Sequence, residues 1–393
     1  MTGAAGQVVG VRTGSVVFTN ATADSSADYF AAGGGTTSLG GNNGIPVNAI
    51  LDVSSAAAGA TFDLAGYSQT VRGLRLPNSS NQTGTVTNSS PTASTLTLNV
   101  GASDGAAYTG DFAFPGLISG NLALVKTGLG VQTISGSNVH TGGTTVNQGI
   151  LRVGNLNALG GDNGYNGAVA VNNGGTLDLF GFSVAIGQLT SSSAGGVITD
   201  NSGASGQTVF STAAAADSSF QGSFNDGSFR SLALFKDGIG TLTLAGSSNY
   251  TGPTRVFAGA IRVANGSALG ASSVGTYVSD GASVQFQGGL TVAEPFFVSG
   301  SSSGGGALRN ISSDNIISGA VTLLAASRIN ADSGSLTFTG GVSSAGFALT
   351  AGGAGNTVIS SGLSLGAGGL TKDGSGSLTL SAANTYSGAT SVT

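Results

Sequence analysis

The sequence contains one histidine, His140, and any imidazole base or Ser/His/Asp arrangement would have to use it. Two similar segments further along the chain carry Tyr250 and Tyr386 at the matching position. A position that takes either His or Tyr is more typical of packing or of a turn than of catalysis. We therefore predict that the chain has no catalytic residue and is not an enzyme.

The three lysines, Lys126, Lys236 and Lys372, each begin a Lys-x-Gly-x-Gly segment. Glycine-rich loops that bind phosphate lead into a helix whose amino terminus faces the anion, whereas the pattern here predicts a strand. We interpret the lysines as parts of solvated turns. Their threefold repetition also argues against a single active site.

Acidic residues offer one other route to catalysis, because glycoside hydrolysis needs two carboxyl groups across a cleft. Asp63 and Asp178 occupy equivalent positions of a second repeated segment, and Glu294 is the only glutamate. These residues leave open a minor alternative, a polysaccharide-active enzyme with a β-helical fold. Sugar-binding clefts favour exposed aromatic rings, but Trp is absent and we expect the 18 Phe residues to lie inside.

The residue counts exclude metal sites built from Cys or several His side chains, since Cys is absent and His occurs once. Calcium could bind near Asp162 and Asn163, within a Gly-Asp-Asn-Gly segment. The Gly-Gly-x-Gly-x-Asp array of calcium-binding β-rolls is missing. We predict no metal and no cofactor.

The composition indicates a packed, helix-poor chain. Of 393 residues, 70 are Gly, 39% are hydrophobic and 7% are charged, which is too apolar for disorder and too poor in Glu and Lys for surface helices. Thr, Ser and Asn suit strands and tight turns. The net charge of -5 gives no basic surface for nucleic acid, and the apolar runs are too short to span a bilayer as a helix.

Internal repetition is the strongest signal in the sequence. One segment recurs beginning at Leu124, Leu234 and Leu370, and it reads Leu-x-Lys-x-Gly-x-Gly, followed by alternating apolar residues, an aromatic residue, and Gly-x-Thr-x-Val. The second segment reads Thr-Phe-Asp-Leu-Ala-Gly-Tyr-Ser around Asp63 and Thr-Leu-Asp-Leu-Phe-Gly-Phe-Ser around Asp178. Stretches such as Gly-Thr-Leu-Thr-Leu alternate with period two and predict strands with one buried face. Periodicity alone leaves a sandwich, a propeller and a parallel coil open.

The first segment resembles the passenger-associated transport repeat, also called the autotransporter-associated β-strand repeat. The resemblance implies an all-β chain that folds as a right-handed parallel β-helix, with coils of roughly 20 to 25 residues. It also implies help in passenger folding and secretion through a C-terminal outer-membrane barrel expected outside this chain. Residues 51–393 would form the repeat region, truncated within the last repeat, and residues 1–50 an N-terminal cap or first irregular rungs.

We therefore expect an extracellular structural or adhesive passenger segment of an autotransporter-like surface protein, acting as a rigid β-helical stalk. The alternative is a subunit of an extracellular filament or surface layer assembled by end-to-end stacking. The expected partners are further copies of the chain or a cell-surface or host ligand. Neither nucleic acid binding nor membrane insertion by this segment is expected.

Overall fold

The computed structural model describes residues 8–11, 15–18, 29–32, 34–53, 59–76, 84–101, 112–161, 165, 167–301 and 305–393. The chain divides into two compact units, Met1–Asn201 (unit 1) and Ser202–Thr393 (unit 2). Strands are the regular structure of the described ranges, and they pair in parallel with strands about one coil away in the sequence. The prediction of an all-β parallel β-helix is confirmed. Across those same ranges no helix is long and apolar enough to cross a membrane.

Unit 1 is built from columns of strands in which each strand lies on its equivalent in the next coil. The first column has two hydrogen-bonded parts, namely β1 (Val8–Val11), β3 (Tyr29–Ala32), β5 (Ile50–Val53) and β8 (Gly73–Arg75), and β11 (Phe112–Phe114), β14 (Val131–Ile134), β17 (Gly149–Val153), β19 (Gly175–Asp178) and β22 (Val197–Thr199). The second contains β2 (Ser15–Phe18), β4 (Gly35–Leu39), β6 (Ala60–Asp63), β9 (Gly84–Asn88), β12 (Leu117–Gly120) and β15 (Val139–His140). The third contains β7 (Gln69–Val71), β10 (Ser94–Asn99), β13 (Leu122–Thr127), β16 (Thr144–Val146), β18 (Val169–Val171) and β21 (Leu189–Thr190), and β20 (Val184–Ile186) precedes its last strand.

Unit 2 has three columns, which we call X, Y and Z. Column X contains β23 (Gly206–Thr212), β26 (Arg230–Lys236), β28 (Thr254–Val256), β30 (Thr276–Val278), β33 (Phe296–Gly300), the first part of β36 (Val321–Ala331), β38 (Val342–Ser344) and β41 (Leu363–Ser364). Column Y contains β24 (Ser218–Phe220), β27 (Thr241–Leu244), β29 (Ala260–Val263), β31 (Ser283–Phe286), β34 (Leu308–Asn310), the second part of β36, β39 (Leu349–Gly352), β42 (Leu370–Lys372) and β44 (Thr390–Val392). Column Z contains β32 (Thr291–Val292), β35 (Asn315–Ile317), β37 (Ser335–Phe338), β40 (Asn356–Ile359) and β43 (Leu378–Leu380), and β25 (Ser223–Phe224) lies between β24 and β26 in the chain.

The coil length agrees with the prediction. Along column X, each residue of one chain of pairings lies against the next: 234, 254, 276, 296, 321, 342 and 363. Consecutive coils are therefore 20 to 25 residues apart. Residues on alternate positions of each strand face the core, as period-two patterning requires. Leu96, for example, is buried and lies directly against the buried Leu124 of the next coil.

The repeated segment does not keep to one face of unit 2. Lys236 lies in column X, at the end of β26. Lys372 lies in column Y. It pairs with Ala351, which pairs with Ile329, and the same chain of pairings continues coil by coil to Leu242. The third copy of the segment is therefore advanced by one face relative to the second.

The expected division at residue 50 remains a prediction. Strand β1 pairs in parallel with β3 and β3 with β5, while β2 pairs with β4 and β4 with β6, so the described strands before residue 50 continue into the ladders that follow.

Candidate functional site

The repeated lysines form the best-defined polar sites, and their placement corrects the sequence interpretation. Lys126 and Lys236 are buried, with at most 1% of their surface exposed, and Lys372 is half-buried. They are not solvated turn residues. In the runs Leu122-x-Leu124-x-Lys126 and Leu232-x-Leu234-x-Lys236, the lysine takes the next core-facing position after two leucines.

Each buried ammonium group is held by carbonyl oxygens of the corner that follows it. Lys126 Nζ donates to the carbonyls of Thr127 (2.7 Å), Gly128 (2.7 Å) and, from the next coil, Gln148 (3.1 Å). These three acceptors match the three donors of an ammonium group. Burial lowers the Lys126 pKa to about 8, because the charged form loses solvation.

Lys236 repeats this geometry, with bonds from Nζ to the carbonyls of Asp237 (2.6 Å), Gly238 (2.7 Å) and Ala258 (3.3 Å). Burial lowers its pKa to about 8 as well, although Asp237 and Asp217 act in the opposite direction. Gly238 has a φ of 72°, and a Cβ there would come within 2.5 Å of the Ala213 carbonyl oxygen. Glycine is required at this corner for both reasons.

His140 and its tyrosine equivalents make one repeated hydrogen bond to a threonine four residues on. The distances are 3.0 Å from His140 Nε2 to Thr144 Oγ1 and 2.5 Å from the Tyr250 hydroxyl to Thr254 Oγ1. The half-buried Tyr386 makes the same bond to Thr390 at 2.8 Å. The three positions are structurally equivalent.

The protonation state of His140 follows from its neighbours. Thr144 Oγ1 donates to the Leu159 carbonyl at 3.1 Å, so its interaction with the imidazole uses the threonine as acceptor and Nε2–H as donor. Nδ1 is buried and has no hydrogen-bond partner among the residues that the structure describes. Burial lowers the His140 pKa to about 4, and the imidazole is therefore neutral at pH 7.

Asp63 and Asp178, which we considered as candidate catalytic acids, are buried in equivalent corners. Oδ1 of Asp63 accepts N–H groups from Ala65 (2.9 Å) and, one coil on, from Ser89 (3.0 Å). Oδ1 of Asp178 accepts from Phe180 (3.2 Å) and Asn201 (2.9 Å). In both corners the aspartate joins its own turn to the following coil.

These corners also contain strained backbone, because Ala65 and Phe180 have φ values of 49° and 47°. Non-glycine residues adopt this conformation with some cost, and the hydrogen bond that the backbone N–H donates to the aspartate two residues earlier helps to maintain it. Arg152 donates from Nε to Oδ2 of Asp178 at 3.1 Å, and its guanidinium carbon lies 4.4 Å from the centre of the Phe180 ring. Asp178 thus serves a corner and an ion pair together.

Glu294 is buried in unit 2, with 4% of its surface exposed. Oε1 accepts a hydrogen bond from Thr276 Oγ1 at 3.0 Å, whereas no described part of the chain supplies a hydrogen-bond partner for Oε2. Burial raises the Glu294 pKa to about 7, and the bond from Thr276 opposes this only in part. Burial raises the pKa of Tyr250, and Glu294 adds a smaller rise.

The expectation that phenylalanines lie inside is wrong for a subset of them. Within the described ranges several phenylalanines are fully buried, but others are exposed on the outer surface: Phe180, Phe182, Phe229, Phe257 and Phe347. The fold has outward as well as inward aromatic positions because successive side chains of a strand point alternately to the core and to the outer surface, and corner side chains can also point outward.

The calcium candidate at Asp162 and Asn163 lies outside the described residues. Among the described residues, no group of three or more His, Cys, Asp or Glu side chains could hold a metal ion.

Comparison with known proteins gives one family match. The passenger-associated-transport-repeat matches residues 124–153, 158–179, 234–263 and 370–393. Three of these regions contain the lysine corners, and 158–179 includes the Asp178 strand. No solved structure is significantly similar to the chain.

One curated relative is the adhesin BmaC autotransporter of Brucella suis biovar 1 (strain 1330), which is 30% identical over 273 residues. The match covers 67% of this chain, and the chain spans about 7% of the length of that relative.

Proposed function

Because the chain belongs to the passenger-associated-transport-repeat family, we propose that it is an extracellular segment of an autotransporter-like surface protein and works as a rigid, adhesive stalk. The observation that carries this proposal is the stacking of parallel coils joined by buried corners. The corners of Lys126, Lys236, Asp63 and Asp178 each link one coil to the next through charge-assisted hydrogen bonds, which are stronger than neutral ones.

The similarity to a protein named as an adhesin supports the adhesive part of the proposal. The ligand would be a component of a cell or host surface.

We also propose a non-enzymatic role. His140 is buried and neutral, and Asp63, Asp178 and the two buried lysines all serve corner hydrogen bonds. The alternative of a polysaccharide-active enzyme depends on the buried Glu294. Turnover of a polysaccharide panel by the purified chain, lost in Glu294→Gln, would support the enzyme and contradict the proposal.

An adhesion experiment tests the main proposal. Fluorescent beads that carry the purified chain at one density are allowed to settle on cultured cells and are then exposed to increasing flow. We expect retention above that of beads coated with an unrelated β-solenoid of similar net charge. Equal retention of both bead types would contradict an adhesive role.

Self-assembly is the second proposal. The backbone ladders and polar corners that stack one coil on the next would also suit stacking between copies. Electron microscopy of the purified chain at increasing concentration separates the two cases. Filaments that lengthen with concentration would favour the assembly subunit, whereas isolated particles would favour the stalk.

A further inference from the structure

The outer face of column X in unit 2 carries an unusual run of side chains. Phe235, Arg255, Tyr277 and Phe297 occupy the same outward position on four consecutive coils, each paired in register with the next. We call these four residues the outer column. All four are half-buried, so their side chains still reach the surface.

The outer column is a stack. The rings of Tyr277 and Phe297 lie 4.6 Å apart at 13°, and the guanidinium carbon of Arg255 lies 4.7 Å from the centre of the Tyr277 ring. At the other end, Phe235 meets the exposed ring of Phe257 edge to face, 5.5 Å away. Stacking on an aromatic face uses the plane of a guanidinium and leaves its N–H groups directed outward along that plane.

Arg255 differs from the other arginines of unit 2 in having no polar partner within the residues that the structure describes. The guanidinium groups of the other four each bond to a side-chain or main-chain oxygen: Arg230 to Thr208, Arg262 to Gln285, Arg309 to Asp332 and Arg328 to Asp373. Although the chain has a net charge of -5, the positive charge of Arg255 is not used in an ion pair or hydrogen bond among the described residues, and its N–H groups can bind a ligand.

We propose that the outer column binds a linear polysaccharide that bears carboxylate groups. A carboxylate fits the fork of N–H donors on Arg255 in a two-bond geometry, and the aromatic edges beside it carry partial positive charge. The apolar C–H groups of the sugar rings then pack on Tyr277, Phe297 and Phe257. This inference rests on the proposed adhesive function and names the class of ligand.

The positions beyond the outer column favour a polysaccharide over a peptide. The same outward position carries Thr322, Ser343 and Ser364 on the next three coils and Ser211 on the coil before. The hydroxyl groups of Thr322 and Ser343 can exchange hydrogen bonds with sugar hydroxyls along the line of the coils. Those of Ser211 and Ser364 already bond to Asp237 and Thr385 and can use only their remaining capacity. A sheet face offers no free backbone groups, so a peptide laid along it would leave its own amides without partners.

Isothermal titration of the 393-residue chain with polygalacturonate tests the inference, with fully methyl-esterified polygalacturonate as the neutral counterpart. We expect binding of the acidic polymer alone, weakened by added salt because the contact is ionic. Arg255→Gln should weaken it at least about tenfold, since a charged hydrogen-bonded pair is lost. Phe297→Thr, which introduces the residue type found at Thr322, should also weaken it.

Arg262→Gln is the matched control, because this outward arginine of column Y already bonds to Gln285. It should bind polygalacturonate as the wild type does, and circular dichroism should show that all variants fold. Equal affinity of wild type and Arg255→Gln, equal binding of the esterified polymer, or equal binding of polyglutamate would each overturn the inference. If beads that carry Arg255→Gln adhere to cells as well as wild-type beads do, the inference is also overturned, but the proposed adhesive function is not.

Discussion

Glu294→Gln should remove a pH dependence from the stability of unit 2. The wild-type carboxyl group has a pKa raised by burial from its usual 4.5 to about 7. Below pH 4.5 it is protonated in both the folded and the unfolded state. As the pH rises from 4.5 to 7 the unfolded chain releases the proton first, so the free energy of unfolding falls over this window and has lost this contribution above pH 7.

The magnitude follows from the shift of about 2.5 pKa units, the difference between about 7 and 4.5. At 1.36 kcal/mol per unit, this corresponds to about 3 kcal/mol between acidic and weakly alkaline conditions. Glutamine is neutral throughout and can keep a hydrogen bond to Thr276. The variant should therefore match the wild type near pH 4.5 and exceed its stability at pH 8.

Urea unfolding followed by circular dichroism from pH 4.5 to pH 8.5 measures this effect, and hydrogen exchange of peptides covering residues 276–296 assigns it to the site. Asp314→Asn is the control, because Asp314 is an exposed carboxylate of the same unit. It should keep the wild-type pH dependence. If wild type and Glu294→Gln lose stability in parallel as the pH rises, the burial argument is refuted.

Three further predictions draw on the internal repeats. His140→Tyr should stabilise unit 1 by about 2 kcal/mol at pH 5 and little at pH 8. Below pH 6.5 the histidine gains a proton in the unfolded chain but stays neutral in the fold, where its pKa is about 4, so the wild type loses stability. Urea unfolding at both pH values measures the difference. Lys236→Met should destabilise unit 2 by about 1–3 kcal/mol, because three corner carbonyls lose their ammonium donor. Lys372→Met removes only two bonds, made by a half-buried group, and should cost less. Similar losses of stability in the two variants would contradict a stabilising role for the buried ammonium group. Tyr250→Phe should cost about 1–2 kcal/mol in urea unfolding, and Tyr386→Phe, whose hydroxyl is only partly buried, less than about 0.5 kcal/mol.

Much of the fold could be predicted because the repeated segments state the strand pattern directly. The alternation in Gly-Thr-Leu-Thr-Leu predicted a strand, and β27 covers Thr241–Leu244 with its leucines inside. The family resemblance was needed to choose a parallel coil, since alternation is equally compatible with a sandwich. Long-range pairing, such as Leu96 with Leu124, depends on coil stacking and is not visible in local patterns.

The buried lysines were missed although a signal was present. Adjacent glycines suggested a solvated loop, but the leucines two and four positions before Lys126 already placed it on the core side of the strand. Charge was given more weight than periodicity. Corner carbonyls that point into the core supply the compensation, and no residue type in the sequence reveals them.

The outward phenylalanines were missed for the same reason. Phe235 stands between Leu234 and Lys236, both of which face the core, so period two already directs its side chain outward. Hydrophobicity alone suggested a buried position. The register that stacks Phe235, Arg255 and Tyr277 on successive coils also depends on coil lengths that vary from 20 to 25 residues.

The one-face advance between Lys236 and Lys372 bears on how such a chain can change over generations. Because copies of the segment start from both column X and column Y, a gene duplication or deletion need not comprise a whole coil to be tolerated. Gain or loss of a single strand and its corner would move every later strand of the chain to the neighbouring column. Surface side chains could in this way be redirected toward a new neighbour without any substitution among them.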